Sequence, residues 1–304
     1  MSALLNRAGD FFLSKALASE SNRADLHGAS VQLSFGLIEY FQTVDRARLL
    51  GHAPPNEAIV MLHGALADKS AWVRFARQMG NAYWLVIPDL PGHGNSVADL
   101  QLDYGIAAQA ARLMEFLAEL GIDHAHLVGN SMGATIAAHI AAMTPERVRS
   151  IVLIDAAGFE ARPSWLHEQV SKTGVNPMTE INNASDYRTM MRVGMASPPY
   201  IPGILLAALA RKMIGRKAIN QKIVYDIRRD LNQTALLKKI GAPTLIVWGA
   251  VDQVEHVDNA ELLRQELRDS RILLLNGVGH VPMVEAPKQV AAACRDFYTS
   301  CARC

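Results

Sequence analysis

A serine stands where the sequence could make it a nucleophile. Ser131 is the centre of the pentapeptide GNSMG at residues 129–133. The pentapeptide follows the apolar run 125–128 and precedes the small-residue helical pattern 134–138. Glycines on both sides let a strand turn sharply into a helix, which leaves the hydroxyl exposed at the helix N-terminus. The pattern therefore predicts a nucleophilic serine rather than one that only caps a helix.

A serine hydroxyl needs a base, and the base needs an anion to orient it. His280 lies just after the last strand-like run, 272–275, and is the candidate base. Asp252 follows the strand-like run 244–248 and is the candidate anion. Asp155 also ends a strand-like run and is a competitor, which we expect to be a structural neighbour. Because parallel strands end at one edge of a sheet, the catalytic side chains are predicted to converge there.

Acyl transfer also needs hydrogen-bond donors for the oxyanion of the tetrahedral intermediate. The first expected donor is the backbone N–H of Met132, the residue after the serine. The second is expected in the loop after the strand-like run 58–62, from the N–H of Ala65. Together these groups predict a two-step reaction through an acyl-enzyme that requires no cofactor.

Composition narrows the range of partners. The 304 residues carry 30 Lys and Arg against 29 Asp and Glu, and no basic run is interleaved with aromatics. This balance argues against a nucleic-acid partner. Cys294, Cys301 and Cys304 cluster at the C-terminal end and do not resemble a disulfide framework, so a reducing, cytoplasmic compartment is predicted. The histidines are not spaced like zinc ligands, so no metal is predicted.

The N-terminal segment, residues 1–30, is predicted to be an amphipathic helical region. Its apolar residues at helical spacing are Leu4, Leu5, Ala8, Phe11, Phe12 and Ala16. Charged residues interrupt this run, which argues against a signal peptide, and no stretch is long enough to span a bilayer. Two interpretations remain: the helix docks on its own domain, or it lies on a membrane surface.

Short apolar runs alternate with helical patterns along most of the chain, which is typical of a doubly wound parallel sheet. A hairpin is predicted over residues 31–43, with its turn near Gly36. The α/β core is predicted to comprise residues 31–158 and 237–304. Residues 159–236 contain only helical segments and turns, which we interpret as a helical cap. Its methionines are Met178, Met190, Met191, Met195 and Met213.

Five motifs resemble the core motifs of the α/β-hydrolase superfamily. They are LHG at 62–64, PDLPGHGNS at 88–96, GNSMG at 129–133, WGAVD at 248–252 and GHVP at 279–282. They occur in the order of the superfamily and cover most of the chain. The resemblance implies an α/β fold with a doubly wound, mostly parallel, eight-stranded sheet and a helical cap inserted after strand 6.

Within the superfamily the chain is most similar to monoacylglycerol lipases of the α/β-hydrolase-domain type and to related bacterial lipases and esterases. The cap, DAAG at 155–158 and the run 240–254 carry this similarity. It implies a carboxylic ester hydrolase acting on a monoacylglycerol or a short acyl ester. It also implies contact with a membrane surface through the N-terminal helix or the cap. Such lipases often carry a bulky aromatic where Ala65 stands, so the acyl pocket is expected to differ.

The same fold supports other functions. A hydrolase of C–C bonds shares the triad but usually has extra glycines where Ala65, Leu66 and Ala67 stand. Dehalogenases and epoxide hydrolases use an aspartate nucleophile, which Ser131 excludes. A non-catalytic receptor for a small molecule remains the alternative from a different class, and the intact triad weighs against it.

Overall fold

The computed structural model describes residues 2–43, 57–80 and 82–301. Its strands are β1 (Leu26–Leu33), β2 (Gly36–Thr43), β3 (Glu57–Leu62), β4 (Leu85–Pro88), β5 (His124–Asn130), β6 (Val148–Ile154), β7 (Thr244–Gly249) and β8 (Ser270–Leu275). They form one sheet in the order β1-β2-β4-β3-β5-β6-β7-β8. β2 pairs antiparallel with β1 and β4, and the later neighbours are parallel. The predicted eight-stranded, mostly parallel sheet is confirmed.

Eleven α-helices accompany the sheet in the described residues. They are α1 (Ser2–Arg23), α2 (Val73–Met79), α3 (Ile106–Glu119), α4 (Met132–Met143), α5 (Trp165–Thr173), α6 (Ala184–Gly194), α7 (Gly203–Gly215), α8 (Lys217–Ile227), α9 (Asp258–Glu266), α10 (Pro282–Glu285) and α11 (Pro287–Cys301). Three short 3-10 helices lie at Lys69–Trp72, Pro145–Arg147 and Thr234–Lys239.

Both faces of the sheet are covered, which explains the continuous apolar runs of its central strands. Val60 of β3 points into one core cluster, together with Phe116 of α3 and Ile136 of α4. The next residue, Met61, points into the opposite cluster, together with Phe75 of α2. The side chains of a strand alternate between faces, so a strand buried on both faces must be apolar at every position.

Helices α5 to α8 lie between β6 and β7, where the described chain forms no strand. We refer to residues 159–236 as the inserted helices. Polar side chains begin several of these helices: Ser164 caps α5 by accepting from the backbone N–H of His167, and Asn183 caps α6. Such caps satisfy amide groups that have no acceptor inside the helix.

The predicted hairpin is present, but its first strand begins at Leu26 rather than at residue 31. Helix α1 ends at Arg23, so the range 1–30 assigned to the N-terminal helical segment contains the start of this strand. The turn joins Leu33 to Gly36, and Gly36 has φ +134°, which favours glycine. The alternation of apolar and polar residues in β1 is interrupted by polar residues at its start. The sequence pattern therefore did not predict that part of the strand.

Helix α1 packs against α7 of the inserted helices. A Cβ atom on Gly9 would lie 3.0 Å from the carbonyl oxygen of Ile204, so the two helices approach closely there. Arg211 of α7 donates hydrogen bonds to the carbonyl of Asn6 (3.1 Å) and to the carboxylate of Asp10 (2.6 Å). One face of α1 is therefore docked on the rest of the chain.

Other side chains of α1 are open to solvent. The side chains of Leu5, Phe11 and Phe12 are 56%, 56% and 54% exposed. No helix within the described ranges is both long and apolar enough to cross a bilayer.

At the other end of the chain, Cys294 is buried and Cys301 packs against the same core cluster, while Cys304 lies outside the described residues.

Candidate functional site

Ser131 occupies a strained turn between β5 and α4. Its backbone has φ 53° and ψ −120°, a conformation that residues with a side chain rarely adopt. The turn is held from both sides, because the N–H of Ser131 donates to the carbonyl of Ile154 (3.0 Å) and its carbonyl accepts from the N–H of Ala134 (3.0 Å). The turn keeps the side chain at the end of the sheet, where it is half-buried and lines a cavity.

The glycines that flank Ser131 permit this turn by allowing close backbone contacts. A Cβ atom on Gly129 would lie 2.2 Å from the carbonyl of Gly133. A Cβ atom on Gly133 would lie 2.2 Å from the carbonyl oxygen of Leu62 in β3. Any side chain at either position would therefore push α4 away from the sheet, and the serine with it.

His280 and Asp252 are in direct contact. The Nδ1 atom of His280 lies 2.8 Å from Oδ2 of Asp252, and both side chains are almost wholly buried. The other carboxylate oxygen of Asp252 accepts from the N–H groups of Val254 (2.7 Å) and Glu255 (3.1 Å). A neutral imidazole that donates from Nδ1 has its lone pair on Nε2, the form that can accept a proton from a hydroxyl.

Asp155 lies beside this pair without replacing Asp252. Its Oδ1 accepts from the N–H of Gly249 (2.8 Å), and its buried Oδ2 has no partner among the described residues. Burial and the charge of Asp252 raise the pKa of Asp155 well above its usual value. The hydrogen bond from His280 goes to Asp252, so Asp155 is a buried neighbour whose charged form is disfavoured.

Asp155, Asp252 and His280 are also a set of groups that could offer ligand atoms to a metal ion, since these atoms lie within 4.8 Å of one another. Their hydrogen bonds argue against that use. Nδ1 of His280 and both oxygens of Asp252 are engaged with protein groups. The absence of a metal requirement stays a prediction from the sequence.

The loop that carries His280 is anchored on three sides. Asn130 donates from its side-chain amide to the carbonyl of His280 (3.0 Å), and the N–H of His280 donates to the carbonyl of Gly194 in α6 (3.0 Å). Glu285 accepts from the N–H of Gly279 (2.9 Å) and from the N–H of Ser197 (2.8 Å). These contacts tie the histidine loop both to the turn of Ser131 and to the inserted helices.

The segment after β3 approaches Ser131 from the other side. A Cβ atom on Gly64 would lie 3.2 Å from Cβ of Ser131, and Leu66 has φ 65°, so this loop turns tightly against the serine. Ala65 and Ser131 line the same cavity. Met132 is the first residue of α4, and the first amides of a helix have no acceptor within the helix. The amides of Ala65 and Met132 therefore lie near the serine.

Buried polar contacts hold that loop in place. His63 donates from Nδ1 to the carbonyl of Gly64 (2.9 Å) and accepts at Nε2 from the N–H of Leu90 (3.0 Å). Burial lowers the pKa of His63, so it stays neutral. Asp89 accepts from the backbone N–H of Lys69 (2.8 Å) and pairs with its ammonium group. Both ends of the loop are thereby fixed to the segment after β4.

A cavity of about 430 Å³ opens onto Ser131 and His280. The hydroxyl of Ser131 makes no hydrogen bond within the described part of the chain, and both residues contribute to the cavity wall. The inserted helices supply most of the opposite wall. Its methionines are Met178, Met190, Met191, Met195 and Met213.

Several residues of the site were not found from the sequence. Asn130 lies inside the GNSMG motif, so its position could have suggested a role. Glu285 follows the GHVP motif and carried no signal of its own, because its partners lie in two distant segments. Lys212 on α7 pairs with Asp68 of the loop after β3 at 2.8 Å, across a large sequence separation. Such contacts depend on side-chain placement, which no local pattern encodes.

Comparisons with known proteins place the chain in a family. The model of the alpha/beta hydrolase family matches residues 59–293. The chain is 34% identical to lipase 3 of Moraxella sp. (strain TA144), over 91% of this chain and 86% of that protein. It is 30% identical to monoacylglycerol lipase abhd6-B of Xenopus laevis, over 81% of this chain and 77% of that protein.

A solved structure is similar over the whole length. The crystal structure of a membrane phospholipase A, described as a bacterial virulence factor, superposes with a TM-score of 0.92 at 33% identity, covering 100% of this chain and 95% of that chain. The resemblance to lipases of this superfamily that the motifs predicted is confirmed. The chain belongs to the alpha/beta hydrolase family.

Proposed function

We propose that this protein hydrolyses carboxylic esters through a covalent acyl-enzyme, with Ser131 as nucleophile, His280 as base and Asp252 as the anion that orients it. The observation that carries the proposal is the 2.8 Å contact between Nδ1 of His280 and Asp252. It leaves Nε2 of a buried imidazole as the acceptor in a cavity that Ser131 shares. Hydrogen bonds of catalytic groups are often loose without substrate, so the Ser131–His280 bond forms when the ester binds.

The reaction takes two steps. In the first, Nε2 of His280 takes the proton of the Ser131 hydroxyl while the oxygen attacks the ester carbonyl carbon. The tetrahedral intermediate then expels the alcohol, which leaves with the proton from His280. In the second, His280 takes a proton from water, the hydroxide attacks the acyl-enzyme, and the acid leaves as Ser131 regains its proton. Asp252 stabilises the imidazolium in both steps.

The oxyanion is stabilised in this proposal by the N–H groups of Ala65 and Met132. Each is close to Ser131 for a separate reason, one through the tight loop after β3 and the other through the start of α4. Loss of one such donor typically lowers the rate by about 10²–10³. The buried contacts of His63 and Asp89 keep the Ala65 amide in position.

We propose a fatty acyl ester of glycerol as the substrate class, with residues 159–236 as a cap over the core formed by residues 31–158 and 237–304. Three similar proteins carry the names lipase, monoacylglycerol lipase and phospholipase. The methionine-lined wall supports this, because methionine adapts its shape to flexible apolar chains. The exposed Phe11 and Phe12 would contact the membrane that presents such a lipid.

Labelling with a fluorophosphonate probe, together with a series of p-nitrophenyl esters from short to long acyl chains, tests the proposal. Wild type should label and should hydrolyse the esters, whereas Ser131→Ala should do neither, with turnover lower by about 10⁴ or more. The control is Ser185→Ala, an exposed serine at the start of α6. Equal labelling of Ser131→Ala, or no turnover of any ester by wild type, would overturn the proposal.

A further inference from the structure

The wall of the cavity has an apolar part and a polar part. The methionines of the inserted helices and Val254, Val281 and Val284 of the core form an apolar part. A second part is polar and charged, and lies where the end of α7 meets the loops after β3 and β4. Its side chains are Asp68, His93, Lys212, Arg216 and Asn220. An apolar acyl chain gains nothing by contacting this polar second part. The rest of the ester can occupy it instead.

Arg216 supplies a positive charge to this polar part. It follows directly after α7, is half-buried, and donates to the carbonyl groups of Gly94 (3.2 Å) and Gly92. These carbonyls fix the guanidinium but do not neutralise it. Within residues 2–43, 57–80 and 82–301, no carboxylate lies within ion-pair distance of Arg216. A guanidinium has five N–H donors, so donors remain for a ligand.

Lys212, one helical turn earlier, differs because its charge is balanced. Its Nζ lies 2.8 Å from Oδ2 of Asp68. Burial alone would raise the pKa of Asp68, but the charge of Lys212 and hydrogen bonds from Lys212 and Ser70 lower it far below its usual value. Asp68 is therefore anionic and cancels Lys212. The net charge that remains in this part of the cavity is that of Arg216.

His93 adds a neutral acceptor beside Arg216. Its Nδ1 donates to the carbonyl of Pro91 (3.1 Å), and its buried Nε2 has no partner in the described chain. Burial, followed by the neighbouring His63 and Arg216, lowers the pKa of His93 to about 3, so the ring carries no charge. The neutral ring leaves the charge of Arg216 unchanged, and an uncompensated cation suits an alcohol that bears an anionic group.

We propose that Arg216 is a specificity-determining residue that favours esters whose alcohol portion carries a phosphate, such as an acylated glycerol phosphate. The inference rests on the proposed ester hydrolysis and adds the class of alcohol. A phosphate offers several acceptor oxygens to the planar fork of a guanidinium, and such charge-assisted bonds are stronger than neutral ones. The acyl chain then lies along the methionines while the phosphate faces the end of α7.

The test compares 1-octanoylglycerol with 1-octanoylglycerol 3-phosphate, both kept below their micelle concentrations. The readout is the ratio of kcat/KM for the phosphate ester to kcat/KM for the neutral ester, which cancels any loss common to both. Arg216→Gln should lower this ratio by about tenfold, the effect of one charge-assisted hydrogen bond. Arg216→Lys keeps the charge but loses the forked donors of the guanidinium. Its ratio should lie between those of Arg216→Gln and wild type.

Lys217→Gln is the matched control. It removes one positive charge at the next position, from a side chain that pairs with Glu180 at 2.9 Å and does not line the cavity. Its ratio should equal that of wild type. The preference of wild type for the phosphate ester should also weaken as salt rises from about 0.02 M to about 0.5 M, because salt screens the charge. Excess inorganic phosphate should inhibit the neutral ester only weakly, since it lacks the acyl anchor.

An unchanged ratio in Arg216→Gln would overturn the inference, and so would an equal fall of both kcat/KM values, since Arg216 would then only hold the loop after β4. If Lys217→Gln lowers the ratio as much, the effect is one of general charge and the assignment to Arg216 is wrong. Hydrolysis of the neutral ester with no preference for phosphate leaves the ester hydrolase standing and removes only this inference. No turnover of either ester, with no fluorophosphonate labelling, removes both.

Discussion

The edge of the sheet and the inserted helices are held by different kinds of contact. At the sheet edge, Ser131, Asp252 and His280 are held largely by backbone hydrogen bonds and close glycine contacts. The inserted helices reach that edge through a few separate contacts, such as Glu285 with Ser197 and Lys212 with Asp68. The sheet edge therefore fixes the reacting groups through the backbone itself. The inserted helices line most of the cavity in front of these groups, and they touch the His280 loop at only a few points, such as Gly194 and Ser197.

The strongest way to break this comparison is to change the acid at the sheet edge. Asp252→Asn would present an amide to Nδ1 of His280 and favour the tautomer with its proton on Nε2, which cannot accept from Ser131. We expect kcat for an ester to fall by about 10⁴. Asp155→Asn keeps the acceptor for Gly249 and should leave kcat within about fivefold of wild type, under about 1 kcal/mol of barrier.

Steady-state kinetics on one p-nitrophenyl ester measures both variants. The reverse order, with Asp155→Asn the slower enzyme, would make Asp155 the functional acid. Near-wild-type activity of both would mean that neither carboxylate orients the histidine.

Glu285→Gln loosens the junction between the two regions. Two backbone amides donate to different oxygens of Glu285, and a glutamine offers only one oxygen and an NH₂ group that cannot accept. We expect about 1–3 kcal/mol of lost stability and a drop in kcat/KM of about tenfold, because the His280 loop loses an anchor. Thermal unfolding and ester kinetics measure the two effects.

Glu261→Gln is the control, since that exposed carboxylate pairs with Arg264 and Gln265 on its own helix, α9. A loss of stability in Glu285→Gln without any change in kcat/KM would show that this contact holds the fold but does not position His280.

The pH dependence of stability sharpens the description of the sheet edge. The raised pKa of Asp155 means that the folded chain holds this proton more tightly than the unfolded chain. Its contribution to stability is full below about pH 4, the ordinary aspartate pKa, and is lost as pH rises toward the folded-state pKa. Asp155→Asn removes this titration. The unfolding free energy of the variant minus that of wild type should therefore increase from about pH 4 to about pH 8.

Urea denaturation at several pH values measures that difference. A difference that stays flat, or that decreases with pH, would mean that Asp155 is charged in the folded chain, and the assignment of a neutral carboxyl beside Asp252 would be wrong.

The smallest effect on turnover is expected at α1. The double variant Phe11→Ser and Phe12→Ser removes exposed apolar side chains that do not line the cavity, so hydrolysis of a soluble short-chain ester should stay the same. Binding to anionic phospholipid vesicles should fall, by cosedimentation, because each buried apolar side chain contributes about 1.5–3 kcal/mol. Leu100→Ser, at an exposed loop residue, is the control. Unchanged vesicle binding in the double variant would remove α1 from the proposed membrane contact.

The sequence predicted the sheet and the positions of Ser131, Asp252 and His280 along it, because buried parallel strands have a strong apolar pattern and their carboxyl ends share an edge. Two kinds of feature escaped it. The early start of β1 at Leu26 was hidden because that stretch is half-exposed and polar. The second kind is contacts between side chains from distant segments, such as those of Arg216, Glu285 and the Lys212–Asp68 pair. From the sequence, a charged residue on a helix is expected to lie on the surface.

The central claim is that Ser131 is the residue that takes up the acyl group, and covalent trapping tests it most directly. The protein is treated with diethyl p-nitrophenyl phosphate, digested, and its peptides are mapped by mass spectrometry while residual ester hydrolysis is followed. We predict a single diethylphosphoryl group on Ser131, with activity lost in proportion to its occupancy. Inactivation with the group on another residue, or full activity in protein completely modified at Ser131, would contradict the account.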